Sequence, residues 1–222
     1  RISKILVVKG KTSPRIAKII AAAERARLKI EVIQSSSSFG SEEPLLAIMK
    51  DYEYKDFEAS LTSLESKIAS GKQPIVLVLD GITDARNLGA ILRTAAFVAV
   101  DLVVIPRDRS ANVNDAAYSV ASGGIEYLDI AQVTNISNAL STLKEKGFWV
   151  VGFTEHADQS LSSVKRDFPI VLVIGNEEKG IRPLVKENCD YLVSLPARGQ
   201  IKSLNASVAA SLGLAWASKI LE

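Results

Sequence analysis

Residues 170–180 read Ile170-Val171-Leu172-Val173-Ile174-Gly175-Asn176-Glu177-Glu178-Lys179-Gly180. A short, unbroken apolar run suits a strand covered on both faces, the situation in a parallel sheet with helices above and below. Comparable runs occur at 75–79 (IVLVL), 101–105 (DLVVI), 125–130, 148–153 (FWVVGF) and 191–195 (YLVSL). Helical patterns fall at about 87–98, 113–121, 135–146 and 183–188, and a last one at about 204–221. Strands alternating with helices predict an α/β fold with a parallel sheet. Ligands of such sheets bind beyond the carboxyl ends of the strands. That rule selects the loops 80–87, 106–112, 175–182 and 196–203, all unusually polar for plain connectors.

Upstream of Pro74 the pattern is less regular. Residues 2–8 (ISKILVV) read as a strand, and Ser13-Pro14 supplies a cap and a favoured first residue for a helix to about Leu28. A second strand follows at Lys29–Ile33, then the serine-rich stretch 35–41, an apolar piece at Leu45–Met49 and a polar helix at about 56–70. The expected organisation is a small α/β domain over 1–52, a linker and helix over 53–74, and a larger domain over 75–222. Residue 1 is Arg, so the native start is expected upstream and the small domain is expected to be truncated.

The chain has 222 residues, 47% of them hydrophobic, and a formal net charge of +2. That is a globular composition. No apolar run approaches the roughly 20 residues of a membrane-spanning helix, so no membrane partner is expected. One cysteine, Cys189, excludes an internal disulfide framework and fits a reducing, cytoplasmic setting. Charge is distributed unevenly: residues 1–50 hold ten Lys/Arg against four Asp/Glu, whereas 74–222 hold fourteen against sixteen. A basic front end on a near-neutral body suits either a polyanion-binding appendage or a solvated helix face.

The strand-end loops carry the candidate chemistry. Asn87 opens a helix in which Arg93 sits among Ile91, Leu92, Ala95 and Ala96. An arginine in such company needs an anionic partner, either a structural one such as Asp80 or Asp84, or a ligand. Gly175 and Gly180 bracket a loop whose backbone could approach a ligand closely. Glu177 in that loop could accept hydrogen bonds or orient Arg93, or it could lie on a simple surface turn. Ser203-Leu204-Asn205-Ala206-Ser207 puts three small polar side chains at the mouth of an apolar helix, where one cap would suffice. Cationic Arg107, Arg109, Arg198 and Lys202 crowd the neighbouring loops, an array suited to phosphates. A GxGxxG fingerprint after a strand is absent, as is a P-loop. His156 is the single histidine, so neither a His-based metal site nor triad chemistry is expected, and it reads as a surface-loop residue.

Three segments in this order, LDGITDARNLGAILRTA at 79–95, IVLVIGNEEKGI at 170–181 and LPARGQIKSLNASVA at 195–209, closely resemble the motifs of the SpoU/TrmH family of RNA ribose 2′-O-methyltransferases. The segment Ile105-Pro106-Arg107-Asp108-Arg109-Ser110-Ala111 is similar to the branch that methylates a guanosine of 23S ribosomal RNA. Residues 1–50 more weakly resemble that branch's L30e-like RNA-binding domain.

The resemblance implies a SPOUT fold with a deep C-terminal trefoil knot, preceded by the small L30e-like domain. It implies S-adenosylmethionine as methyl donor, no metal, RNA as partner and a homodimer completing the site. Carried over by position, Asn87, Arg93, Glu177, Ser203 and Asn205 form the catalytic set. Gly175, Asn176, Leu195, Ala197 and Leu204 line the donor pocket. Arg86, Arg107, Arg109, Arg198 and Lys202 contact RNA. Ala85, Glu178 and Ala197 depart from the family's usual Pro, Gly and Met. A tRNA 2′-O-methyltransferase and a catalytically silent RNA-binding homologue are the alternatives.

Overall fold

The computed structural model describes residues 1–155, 157–197, 199–200 and 203–220. The chain divides into two compact units, Arg1–Glu53 and Tyr54–Glu222.

In the smaller unit β1 (Ile2–Val8) lies between β2 (Lys29–Ile33), which is parallel to it, and β3 (Leu45–Met49), which is antiparallel. The connecting helix α1 (Pro14–Arg25) starts as its sequence demands: Ser13 Oγ accepts from the Ile16 amide at 3.2 Å, and Pro14 occupies the first turn. Its inner face supplies Ile16 and Ala23 to a small core with Ile5 and Val7. Arg15, Lys18 and Arg25 project from the exposed remainder of the helix.

The larger unit holds a seven-stranded sheet with every neighbouring pair parallel. Its strands are β4 (Ile75–Asp80), β5 (Leu102–Pro106), β6 (Ile130–Val133), β7 (Trp149–Phe153), β8 (Gln159–Ser160), β9 (Ile170–Gly175) and β10 (Tyr191–Ser194), in the order β6-β5-β4-β9-β7-β10-β8. Every residue of β4, β5 and β9 is buried, which explains why those runs carry no polar alternation. One sheet face packs Val76, Val78, Val171 and Val173 against α2 (Phe57–Ala69), α5 (Ile136–Glu145) and the short α6 (Pro183–Lys186). On the other, α7 (Ala206–Ala217) lies along β9 and touches α3 (Ala85–Phe97), which in turn packs on α4 (Asp115–Ala121).

Some boundaries differ from expectation. Leu61 and Leu64 of α2 enter the larger unit's core, so residues 54–74 are part of that unit. The apolar run at 125–130 does not form one strand. Gly123, with φ 86°, turns the chain into a 3₁₀ helix at Gly124–Tyr127, and β6 begins only at Ile130. The pattern at 183–188 yields four helical residues, and the last helix is helical from Ala206 to Ala217.

Candidate active site

The carboxyl ends of β4 and β9 lie side by side, with Asp80 in register with Gly175. Beyond β9 the chain folds sharply back, and Asn176 and Gly180 exchange backbone hydrogen bonds of 3.1 and 2.9 Å. A Cβ on Gly175 would stand 2.2 Å from the carbonyl carbon of Gly180, so only glycine fits there. Asn176 stabilises the loop from within: its Oδ1 accepts from the amides of Glu178 and Lys179 at 3.0 and 3.1 Å. Its Nδ2 donates to the Gly81 carbonyl at 2.8 Å, tying the loop to the end of β4.

Glu177 projects from this loop into a chain of amides. Asn87 Nδ2 donates to Glu177 Oε1 at 2.8 Å, and Asn176 Nδ2 donates to Oε2 at 3.3 Å. Asn87 Oδ1 in turn accepts from Asn205 Nδ2 at 3.1 Å. Asn205 caps α7, its Oδ1 accepting from the Ser207 amide at 2.8 Å and the Ser207 hydroxyl at 2.6 Å. Asn205, and not Ser203, is therefore the cap, and Ser203 stands exposed just before it. Three segments far apart in sequence are thus joined in one chain of hydrogen bonds that ends on the Glu177 carboxylate. An ionised carboxylate accepts hydrogen bonds only, so both Asn87 and Asn176 must present their amide nitrogens to it.

The loop 176–180 separates two clefts, and its five residues line both. The first has an apolar wall of Phe153, Ile174, Leu195, Leu204 and Ala209 beside Gly175, and a charged rim that includes Glu155, Glu178, Lys179 and Lys186. Gly175, Asn176, Leu195 and Leu204 all line this cleft, whereas Ala197 is exposed on the loop beyond and is not among the lining residues. The second cleft is polar and holds Asp80, Thr83, Asn87, Arg109, Arg182 and Asn205. Arg109 thus reaches the site. Arg86 and Arg107 are exposed beside it without lining it. Arg198, Lys202 and His156 lie outside the described residues.

Arg93 is not where its apolar neighbours suggest. It is exposed, and its Nη1 donates to Ser122 Oγ at 3.2 Å. It borders a separate surface depression with Phe97, Ser122 and Tyr127. Neither proposed carboxylate pairs with it: Asp84 caps α3 by accepting from the Arg86 amide at 2.7 Å, and Asp80 binds Arg182. Nor does Glu177 orient Arg93 within one chain, because its two oxygens take donors from Asn87 and Asn176.

Sequence reasoning missed Arg182 and reached Asp80 only as a candidate partner for Arg93. The Asp80 side chain is 0% exposed; its Oδ2 accepts from the Arg182 backbone amide at 2.8 Å and its Oδ1 from Nε at 2.7 Å, with Nη2 completing the ion pair at 2.5 Å from Oδ1. An acidic residue ending a wholly apolar strand was the available signal, since a buried carboxylate requires a partner. Elsewhere, burial and the neighbouring Asp190 push the Cys189 thiol up to about 12, so it stays a neutral packing group. Among the described residues, no group of His, Cys, Asp and Glu is placed to hold a metal ion, and no helix is long and apolar enough to cross a membrane.

The chain is similar to known proteins in sequence and fold. The family model of the SpoU rRNA methylase family matches residues 74–215. The 23S rRNA (guanosine-2′-O-)-methyltransferase RlmB of Yersinia pestis is 38% identical over 96% of this chain and 87% of its own length. The SpoU methyltransferase AviRb of Streptomyces viridochromogenes, solved with its cofactor AdoMet, superposes with a TM-score of 0.82 over 100% of this chain and 83% of its own, at 20% identity. A TrmH/SpoU tRNA modifying enzyme of A. aeolicus matches with a TM-score of 0.61 and 26% identity, over 73% of this chain and 83% of its own. The chain therefore belongs to the SpoU rRNA methylase family and is an S-adenosylmethionine-dependent RNA methyltransferase.

Proposed function

We propose that the protein transfers a methyl group from S-adenosylmethionine to the ribose 2′-hydroxyl of a guanosine in 23S ribosomal RNA. The observation that carries this reading is the loop 176–180, which has an apolar, glycine-edged cleft on one side and the Asn87–Glu177–Asn205 network on the other. The first cleft fits the methyl donor: its wall beside Gly175 has no room for a side chain, and the exposed loop backbone offers polar groups next to an apolar floor. The second cleft takes the acceptor ribose, with Arg109 beside it for the RNA backbone.

Transfer is an in-line displacement in which the methyl leaves a sulfonium and the ribose oxygen loses its proton. The donor already carries a good leaving group, so the protein's part is alignment and care of that proton. Asn87, Glu177, Ser203 and Asn205 position the ribose against the donor. Arg93 stabilises the oxygen as negative charge develops, or grips the adjacent phosphate.

Since Glu177 and Arg93 do not meet within one chain, the site is completed in a homodimer, with Arg93 supplied across the interface. Phe97 and Tyr127, 78% and 84% exposed beside Arg93, together with Val208 and Leu212 on the outer face of α7, give an apolar surface for a second copy. Helix α7, behind Ser203 and Asn205, is the part that threads the trefoil knot. The basic unit Arg1–Glu53 is an L30e-like RNA-binding domain. A tRNA substrate is the second reading. The RlmB relative aligns over 96% of the chain and the tRNA modifying enzyme over 73%, which favours ribosomal RNA.

The test is incubation with methyl-labelled S-adenosylmethionine and either unmodified 23S rRNA or tRNA, followed by mapping of the labelled ribose. Label at a guanosine 2′-oxygen of 23S rRNA is expected. Label on tRNA alone would transfer the assignment to the second reading, and no label on any RNA would mark a silent homologue.

A further inference from the structure

We propose that Asp80 and Arg182 are a positioning pair for methyl transfer: they hold the loop that carries Glu177 and so set the place of its carboxylate between the two clefts. The inference rests on the assignment of Glu177 to the reaction.

The loop Asn176–Ile181 is fixed to the end of β4 at both of its ends. At one end, Asn176 Nδ2 reaches the Gly81 carbonyl at 2.8 Å. At the other, Arg182 gives its amide, Nε and Nη2 to the Asp80 carboxylate. The two anchor points, Asp80 and Gly81, are consecutive residues. Between the clamps, Ile181 is buried in the core, and among the described residues the Glu177 carboxylate is held by the side-chain amides of Asn87 and Asn176.

The location of the pair matters more than its strength. Residues 176–180 border both clefts at once, so a shift of the loop displaces the Glu177 carboxylate from its place between the two reactants. A misplacement of about 1 Å costs on the order of a hundredfold in rate without abolishing binding. A two-pronged guanidinium on a buried carboxylate is well suited to prevent that movement, because its planar fork fixes direction as well as distance. Packing alone would not demand an ion pair here. Apolar replacement of a buried ion pair is often neutral for stability, and the Arg182 side chain is 47% exposed, so what the fork adds is direction.

The test compares Arg182→Lys with Glu177→Gln. Lysine keeps the charge opposite Asp80 but loses the fork, whereas Arg182→Ala would leave a buried carboxylate unpaired. Arg182→Lys is expected to lower kcat about 10- to 100-fold, with KM for S-adenosylmethionine and for RNA within about threefold of wild type. Because the pair acts through Glu177, the double variant R182K/E177Q is expected to turn over no more slowly than E177Q alone. Losses that multiply in the double variant would show an independent structural role and overturn the proposal. A loss confined to the KM for RNA would make Arg182 a phosphate contact and overturn it equally. If R182K does not fold, the same pattern is required of D80N/R182Q, which keeps hydrogen bonding without a buried charge. Full activity of E177Q would sink the assignment of Glu177, whereas a slow E177Q beside a fully active R182K would sink the positioning pair alone.

Discussion

Asn87 and Arg93 stand six residues apart on α3 and belong to the same motif, yet the fold treats them differently. Asn87, at the helix start, is committed to partners on both sides, giving a hydrogen bond to Glu177 and taking one from Asn205. Arg93, nearly two turns on, faces outward, and among the described residues its tip meets the Ser122 hydroxyl. Under the proposed homodimer, the difference separates what one chain builds from what a second copy completes. A carboxylate held by two amides is organised before any substrate arrives, whereas an exposed arginine gains its full electrostatic effect only in a site closed to water.

Three experiments bear on that contrast. The largest effect belongs to Asn87→Ala, which removes a donor from Glu177 and an acceptor from Asn205. A fall in single-turnover rate of about 10²–10³ is expected, as for other preorganised donors, with the thermal midpoint nearly unchanged. A rate within twofold of wild type would remove Asn87 from the site. Next comes a mixing experiment. Arg93→Ala and Asn87→Ala protomers, each inactive alone, are unfolded and refolded together. If the two residues serve one site across an interface, random pairing restores about a quarter of wild-type sites. No recovery would place both residues in the same chain's site. The smallest effect is on Asn205→Ala. Loss of the α7 cap costs about 1 kcal/mol, read in chemical denaturation. Turnover is expected to fall about tenfold more than that stability change explains, and a purely thermodynamic effect would reduce Asn205 to a cap.

The sheet was legible because its strands announce themselves. A strand buried on both faces has no polar positions, so 75–79, 101–105 and 170–174 could be read directly. The meeting of Asn87, Glu177 and Asn205 was legible through the motifs, although their order of bonding was not. Arg93 shows why. Linear neighbours such as Ile91 and Leu92 point inward, but the residues sharing its helical face are three and four positions away, and one of these is the exposed Phe97. Counting apolar neighbours along the chain therefore gave it a buried environment that the helix does not provide. Arg182 was hidden for a related reason. Its partner Asp80 is 102 residues away, and only the parallel pairing of β4 with β9 brings the two together. The 3₁₀ turn at Gly124–Tyr127 was lost to β-propensity, which weighed Ile125 and Tyr127 and overlooked the paired glycines before them.

Gly89 lies between Asn87 and Arg93 on α3. A Cβ there would stand 2.5 Å from the Ala117 carbonyl oxygen and 2.9 Å from the Val120 side chain, so α3 and α4 meet backbone to backbone at this point. Glycine costs a helix interior about 1 kcal/mol relative to alanine. The helix that carries both residues thus gives up intrinsic stability to admit its neighbour, and its persistence depends on α4 being in place. In evolutionary terms the position has a vocabulary of one letter: nearby side chains can drift, but any change at Gly89 must move a whole helix before it alters a single bond at the site.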